Sequence, residues 1–352
     1  MSKFLVDKFN SLTPYVPGEQ PKERKYVKLN TNESPFPPSK KAVEYACREA
    51  QKVMLYSDPD VTDLVKALAK TYDVLPQNVI VTNGSDEVLN FAFMAYCNAQ
   101  NPALFADITY GFYKVFASVN GIPYKEIPLK EDFTLDINDY LDKSGTIFIA
   151  NPNAPTGIAL SIDEIETLIK ANPDRVVVVD EAYVDFGTES AVKLIKKYDN
   201  VLVTQTFSKS RSMAGARLGF GIGSKAIIDD LNRIRYSTNP YNVNRMSEYA
   251  GVGALEDAEY FENNCRTIIA NREWTVGELK KLGFTTTDSK ANFIFARCER
   301  IDGKELYLKL KERGILVRHF DKAPIKDYNR ITIGSMEEMQ AYIDTVKTIL
   351  EK

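Results

Sequence analysis

Short apolar runs alternate with segments of helical spacing over most of the chain. The apolar runs predict buried strands, at 79–82, 103–106, 146–150, 176–179, 201–204 and 218–222. Between them, apolar residues at helical spacing predict helices at 88–96 and 110–119, and the capping-box pair Ser161 and Glu164 predicts another helix start. Because strands separated by helices need crossover connections, this order predicts a mostly parallel sheet covered by helices.

The pattern changes at both ends of this region. After about residue 254, a helical stretch over 258–282 leads to predicted strands near 292–296, 315–317 and 331–333, with helices at 304–312 and 336–350. Before residue 39, prolines interrupt regular structure, at Pro14, Pro17, Pro21, Pro35, Pro37 and Pro38. We therefore predict an arm over 1–38, a large α/β domain over 39–254 and a smaller α+β domain over 255–352. The arm is expected to pack with the smaller domain and on a partner subunit.

Composition and charge exclude several classes of function. The 352 residues are 44% apolar and 26% charged, which is ordinary for a globular protein long enough for two domains. A net charge of −3 gives no general attraction to nucleic acid or to an anionic membrane. With four scattered cysteines and one histidine, a zinc site is not expected. The sequence therefore predicts a cytoplasmic protein with reduced thiols, no metal, and no nucleic-acid or membrane partner.

One lysine follows a predicted buried strand and is surrounded by groups suited to an anion. Lys209 lies between two serines, Ser208 and Ser210, with Thr206 before it and Arg217 eight residues after it. Hydroxyls and a guanidinium are suitable partners for a phosphate dianion. A lysine beside them can form a Schiff base with a carbonyl compound whose phosphate they bind. Taken alone, a loop lysine is more often a solvated surface charge.

An acid ends the all-β-branched strand at 176–179. Asp180 is therefore expected at the carboxyl end of a central parallel strand, where ligands bind in open α/β sheets. There it can keep a pyridine nitrogen protonated, which makes the ring an electron sink. Tyr183, three residues later, can donate a hydrogen bond to a ring oxygen. The alternative for Asp180 is that it only caps the turn that follows.

Two further loops at strand ends are expected to border the same crevice. Gly84 permits a tight turn, and the free amides of Ser85 and Asp86 at the next helix start would receive an anion. The alternative is that these two side chains only cap the helix. The loop Asn151–Gly157 contains two prolines, and its Asn153 is expected to reach the crevice.

Three motifs, in this order, resemble those of the fold-type-I aminotransferases: the Asn151–Gly157 loop, Asp180–Tyr183, and Ser208–Arg217. The arm segments 12–15 and 29–35, together with 240–244, favour the histidinol-phosphate branch. The resemblance covers nearly the whole chain. It implies a fold-type-I α/β fold, a homodimer, pyridoxal 5'-phosphate as cofactor, and amino-group transfer.

Carried over position by position, the resemblance also implies roles for single residues. Lys209 would carry the cofactor, Asp180 would pair with the pyridine nitrogen, Tyr183 would bond the ring oxygen, and Tyr110 would stack on the ring. The cofactor phosphate would be bound by Ser85, Asp86, Thr206, Ser208, Arg217 and, from the neighbouring subunit, Tyr56. The substrate groups would be Tyr15, Arg318 and Arg330.

One position departs from the family pattern. Many relatives have asparagine immediately before Pro-Thr-Gly, to bond the ring oxygen, and this chain has Ala154 there. The resemblance therefore leaves two possibilities open. Either Asn153 takes over from one residue earlier, or Tyr183 alone serves that oxygen.

The implied reaction transfers an amino group between L-histidinol phosphate and 2-oxoglutarate, with glutamate as the other amine, in histidine biosynthesis. Three alternatives remain at this point. An aromatic or general aminotransferase would share the cofactor residues but lack the substrate phosphate site. A decarboxylase of the same fold would act on a phosphate-bearing substrate. A non-catalytic effector-binding domain would use the cofactor only to regulate a partner.

Overall fold

The computed structural model describes residues 2–10, 12–141 and 143–351, and within these it contains thirteen strands, eleven α-helices and five short 3-10 helices. The strands are β1 (Val27–Lys28), β2 (Val79–Thr82), β3 (Ala103–Ala106), β4 (Tyr124–Ile127), β5 (Thr146–Ala150), β6 (Val177–Asp180), β7 (Val201–Thr206), β8 (Gly219–Gly223), β9 (Phe284–Thr286), β10 (Phe293–Cys298), β11 (Ile315–Leu316), β12 (Arg318–His319) and β13 (Asn329–Thr332). The helices are α1 (Lys40–Ala50), α2 (Thr62–Thr71), α3 (Ser85–Tyr96), α4 (Phe112–Asn120), α5 (Asn138–Leu141), α6 (Ile162–Ala171), α7 (Lys225–Thr238), α8 (Arg245–Leu255), α9 (Ala258–Lys281), α10 (Gly303–Glu312) and α11 (Met336–Leu350).

Seven strands form the large sheet, in the order β2-β8-β7-β6-β5-β3-β4. The strands from β7 to β4 pair in parallel, whereas β8 runs antiparallel to both of its neighbours. Successive residues of the central strands face opposite sides: Val177 and Val179 join one apolar cluster, and Val178 joins another. Helices cover both faces, which is why the central strands are apolar throughout. The predicted mostly parallel, helix-covered sheet is confirmed.

The glycines of β8 have a packing role. A Cβ on Gly219 would lie 2.2 Å from the amide nitrogen of Ser85, so only glycine allows β8 to pass the start of α3 this closely. The helix itself begins at Ser85, three residues earlier than the apolar pattern predicts, because the polar first turn carries no apolar periodicity. As a result, the residues expected to bind an anion belong to the first turn of α3.

A second, antiparallel sheet in the order β12-β13-β10-β9 packs with α9, α10 and α11 around an apolar core of its own. The single strand expected at 315–317 is split into β11 and β12. Strand β11 pairs in parallel with β1 of the arm, which was predicted to be irregular. A two-residue strand is too short to give a periodic signal, and its partner lies almost the whole chain length away.

Several elements were not predicted from the sequence, namely α1, α2, α5, α7, α8, β4 and β9. Strand β4 shows why, since three of its four residues are exposed and it has no buried apolar run. In the part of the chain that the structure describes, no helix combines the length and apolar character needed to cross a membrane.

Candidate active site

Two adjoining cavities open at the carboxyl ends of the parallel strands. The smaller has a volume of about 200 Å³ and the larger about 580 Å³. Five residues border both cavities, namely Thr31, Tyr110, Ala154, Tyr183 and Lys209. The predicted Schiff-base lysine therefore lies where the two cavities meet, which is the expected position for a group that serves a cofactor on one side and a substrate on the other.

The smaller cavity contains a cradle of hydrogen-bond donors. Helix α3 begins after Gly84, whose φ of 81° is left-handed and which provides no capping side chain. The first residues of the helix, Ser85 and Asp86, border this cavity together with Thr206 and Ser208. Uncapped amides at a helix start and nearby hydroxyls form an anion site, since their partial positive charges converge.

Arg217 completes the cradle and is held by an acid. Its Nη2 lies 3.1 Å from a carboxylate oxygen of Asp86, and the other oxygen accepts the hydroxyl of Tyr110 at 2.7 Å. Burial is the largest cause of the raised pKa of Tyr110, and the negative charge of Asp86 adds to it. Tyr110 therefore stays a neutral donor, with its ring fixed at the border of both cavities.

Asp180 ends β6 inside the smaller cavity and is 5% exposed. One carboxylate oxygen accepts the hydroxyl of Tyr113 at 2.9 Å, and the other accepts that of Thr204 at 3.3 Å. Burial raises the pKa of Asp180 to about 6, although the hydrogen bond from Tyr113 opposes the rise. A cation beside this carboxylate would stabilise its ionised form.

Lys209 follows β7 and has no acidic partner among the described residues. Its Nζ donates to the backbone oxygen of Thr31 at 3.3 Å and lies 5.8 Å from the centroid of the Tyr183 ring. The tyrosine ring is in turn fixed by an edge contact with Phe293, at a centroid distance of 5.1 Å. The amine is thus placed by weak contacts that a covalent partner would replace.

Two arginines border the larger cavity and lie directly opposite each other. Arg318 on β12 and Arg330 on β13 are register partners in an antiparallel pair. Their hydrogen-bond partners are backbone oxygens: Val16 and Pro17 for Arg318, and Asn30 for Arg330. The Nε of Arg330 is buried without a partner in the described structure. Like charges directly opposite are unfavourable, so an anion bound between the two guanidiniums would relieve their repulsion.

Tyr15 of the arm and Tyr110, which precedes α4, form another wall of the larger cavity. Tyr15 packs against Phe112 with a ring-centroid distance of 4.5 Å and lies 6.5 Å from Tyr110. Arg318 holds this part of the arm in place by donating hydrogen bonds to the carbonyl oxygens of Val16 and Pro17. The wall therefore depends on a contact between the arm and the smaller sheet.

Two of the predicted site residues do not border either cavity. The amide nitrogen of Asn153 donates to the backbone oxygen of Ile108, in the segment after β3, and to the hydroxyl of Thr156 in its own loop, and its oxygen accepts from Thr109. The expectation that Asn153 reaches the crevice is therefore wrong. Its bonds join the Asn151–Gly157 loop to the segment after β3 instead. Tyr56 is 78% exposed and borders neither cavity of its own chain.

Comparison with known proteins identifies the family. The model of the class I and II aminotransferases matches residues 24–346. The histidinol-phosphate aminotransferase of Brachyspira hyodysenteriae is 50% identical over all of both chains, and that of Marinomonas sp. is 51% identical over 99% of this chain and all of that one.

The chain belongs to the histidinol-phosphate aminotransferase family. The structure of the Sinorhizobium meliloti member, in complex with pyridoxal-5'-phosphate, has a TM-score of 0.89 at 22% identity over 99% of each chain. The Clostridium acetobutylicum member has a TM-score of 0.85 at 23% identity, over 92% of this chain and 99% of that one. These likenesses confirm the fold class, and the full-length relatives confirm the family resemblance and the aminotransferase assignment.

Within this family fold, sequence reasoning missed two buried residues at the site. Tyr113 occupies an apolar helical position and gave no sign that its hydroxyl faces Asp180. Asn32 donates its amide to the hydroxyl of Tyr183 at 2.9 Å. It lies within the arm segment 29–35, but the spacing of that segment does not show which of its polar residues faces the site.

Proposed function

We propose that the protein transfers the amino group of L-histidinol phosphate to 2-oxoglutarate, in histidine biosynthesis, with pyridoxal 5'-phosphate as cofactor. The observation that carries this proposal is the pair formed by Arg318 and Arg330. Two guanidiniums that lie opposite each other and, among the described residues, form hydrogen bonds only with backbone oxygens suit a dianion better than a single carboxylate. A phosphate monoester is such a dianion.

The residues of the smaller cavity fit the cofactor. Its phosphate would be held by the amides of Ser85 and Asp86, the hydroxyls of Thr206 and Ser208, and Arg217. The close approach of Gly219 keeps these amides free of any side chain from β8. When bound, the cofactor supplies an electron-withdrawing ring that stabilises negative charge on the carbon from which a proton is removed.

Within this frame, each side chain of the proposed catalytic group has one task. Asp180 would face the pyridine nitrogen, and its buried carboxylate would favour a proton on that nitrogen. Lys209 would carry the cofactor covalently and, when released by the substrate amine, would accept a proton at Nζ and return it to a neighbouring atom. Tyr183 would donate to the ring oxygen, and Tyr110 would lie against the ring face.

The larger cavity would admit both amine substrates in turn. Arg330 can bind a carboxylate through two parallel hydrogen bonds, which suits glutamate and 2-oxoglutarate. Arg318 adds the second positive charge that a phosphate needs. Tyr15 would add a hydroxyl and an aromatic face beside the imidazole ring.

The proposal includes a homodimer in the cytoplasm. Val53, Met54, Leu55 and Tyr56 form a continuous segment in which every side chain is at least 60% exposed. Contiguous exposed apolar residues are typical of protein interfaces. We propose that this segment packs on a second copy of the chain and places Tyr56 at the partner's cofactor phosphate. The four free cysteines accord with a reducing compartment.

Single-turnover spectra test the substrate assignment. The cofactor-loaded protein is mixed separately with L-histidinol phosphate, L-phenylalanine and L-glutamate, and the rate at which the visible absorbance bleaches is measured for each. We expect histidinol phosphate to give the highest rate per concentration among the amino donors. A faster reaction with phenylalanine would favour a general aromatic aminotransferase, and release of carbon dioxide from an amino acid phosphate would favour a decarboxylase.

A further inference from the structure

Asn32 is one of the most completely bonded side chains near the cavities. It is 1% exposed, and its backbone is left-handed, with a φ of 56°, which asparagine tolerates better than most residues. Its backbone N–H donates to the hydroxyl of Thr332 at 2.9 Å, and its backbone oxygen accepts the amide of Asn292 at 3.0 Å. The backbone N–H and the backbone oxygen of Asn32 are thus both hydrogen-bonded to residues in or next to the smaller sheet.

These bonds determine which way the side-chain amide points. Because the Thr332 hydroxyl accepts from the backbone of Asn32, its single proton is available to the side-chain oxygen of Asn32, 3.0 Å away. The amide nitrogen of Asn32 therefore faces the hydroxyl of Tyr183, at 2.9 Å. An amide nitrogen only donates, so the tyrosine oxygen is the acceptor in this contact.

The tyrosine hydroxyl consequently keeps its own proton for another partner. In the described part of the chain, no other group forms a hydrogen bond with this hydroxyl, and Tyr183 borders both cavities. Ala154 also borders both, and its methyl group offers no donor. The proton of the tyrosine hydroxyl is therefore available for a hydrogen bond into the cavities.

We infer that Asn32 is a positioning residue, which holds the Tyr183 hydroxyl as an acceptor so that its proton is donated to the ring oxygen of the cofactor. This inference rests on the proposed role of Tyr183. It also links the arm to the chemistry, because Asn32 belongs to the arm and is held by Thr332 of β13. The arm would then shape the cofactor's electronic state without touching the cofactor.

The bound cofactor reports this hydrogen bond through its colour. Its absorbance changes with pH as the nitrogen that links it to Lys209 loses a proton. A donor to the neighbouring ring oxygen withdraws negative charge from that oxygen and makes the proton easier to lose. Losing the donor should therefore raise the midpoint of the spectral titration by about one pH unit, the scale expected for one charged hydrogen bond.

Asn32→Asp and Asn32→Gly separate the hydrogen bond from the packing. In Asn32→Asp a carboxylate oxygen replaces the amide nitrogen, so the Tyr183 hydroxyl donates to it and is withdrawn from the cofactor. We expect its midpoint to rise at least as far as in Tyr183→Phe, because the new negative charge also favours the protonated form, and the double variant should show no rise beyond that of Asn32→Asp. Asn32→Gly keeps the left-handed backbone but leaves the hydroxyl unrestrained, so its midpoint should rise less.

Asn271→Asp is the matched control, since Asn271 is also a buried asparagine whose amide donates to a backbone oxygen, that of Gly334, away from both cavities. Its midpoint should equal that of the unmodified protein. The dissociation constant of pyridoxal phosphate and the circular dichroism of each variant show whether it is folded and loaded. If Tyr183→Phe shifts the midpoint and folded Asn32→Asp does not, the inference is wrong. If Tyr183→Phe leaves the midpoint unchanged, the proposed role of Tyr183 fails instead.

Discussion

Replacing Arg318 with alanine should reduce turnover of histidinol phosphate much more than turnover of phenylalanine. The guanidinium faces Arg330 across β12 and β13, and both border the larger cavity. A phosphate bound between them would use both charges, whereas the carboxylate of phenylalanine needs only Arg330. The variant therefore removes a contact that one substrate makes and the other does not.

The expected size of this difference follows from the loss of one hydrogen bond to a charged group. One hydrogen bond to a charged group contributes about 1.5–3 kcal/mol, so kcat/KM for histidinol phosphate should fall about 10- to 150-fold. The variant also loses the bonds from Arg318 to the carbonyls of Val16 and Pro17, which hold the arm and with it Tyr15. The part of that loss that both substrates share cancels in the ratio of their kcat/KM values.

The assay is steady-state kinetics with 2-oxoglutarate as the common acceptor. Arg318→Lys keeps the charge without the planar fork and should give an intermediate loss on histidinol phosphate. Arg313→Ala is the control, because Arg313 is an exposed arginine bonded to the carbonyl of Lys309 and borders neither cavity. Equal losses of Arg318→Ala on both substrates would refute the proposed phosphate site.

Four further predictions concern the smaller cavity and the exposed segment. Borohydride reduction and peptide mass mapping should place the pyridoxyl group on Lys209; a label on another lysine would contradict the assignment. Asp180→Ala should retain cofactor through the phosphate cradle yet lose orders of magnitude in turnover, and near-normal kinetics would exclude its role as electron-sink partner. In the cofactor-free protein, burial raises the pKa of Asp180 from its ordinary 3.8 to about 6. The free energy of unfolding should therefore fall as the pH rises from 3.8 to about 6, because the unfolded chain loses this proton before the folded protein does. In urea titrations, cofactor-free Asp180→Asn should show a smaller fall than the unmodified protein over the same pH range. Mixing Lys209→Ala with Tyr56→Phe protomers should restore one site of normal cofactor affinity per dimer, whereas an active monomer in analytical ultracentrifugation would rule out sharing.

The strands and helices that position the proposed cofactor residues were predictable because their signal is local. β2, β3 and β5 match the predicted strands residue for residue, since a fully buried strand is a short continuous apolar run. Lys209 and Asp180 follow such strands, and the carboxyl ends of parallel strands meet at one edge of a sheet. Sequence alone therefore placed both groups in one crevice, as the smaller cavity now shows.

The arm and the contacts that orient the site required the tertiary structure. β1 pairs with β11, and the side chain of Asn32 forms hydrogen bonds with Thr332 and Tyr183. The two side-chain contacts join residues that are 300 and 151 positions apart in the sequence. No local periodicity records such a pairing, because each partner is chosen by the packing of the whole chain. The same holds for Asn153, whose chemistry suits a ligand but whose amide is hydrogen-bonded to Ile108 and Thr109, in the segment after β3. The residue types and their order along the chain thus determine which chemistry is available, whereas the direction of each hydrogen bond depends on groups that only folding brings together.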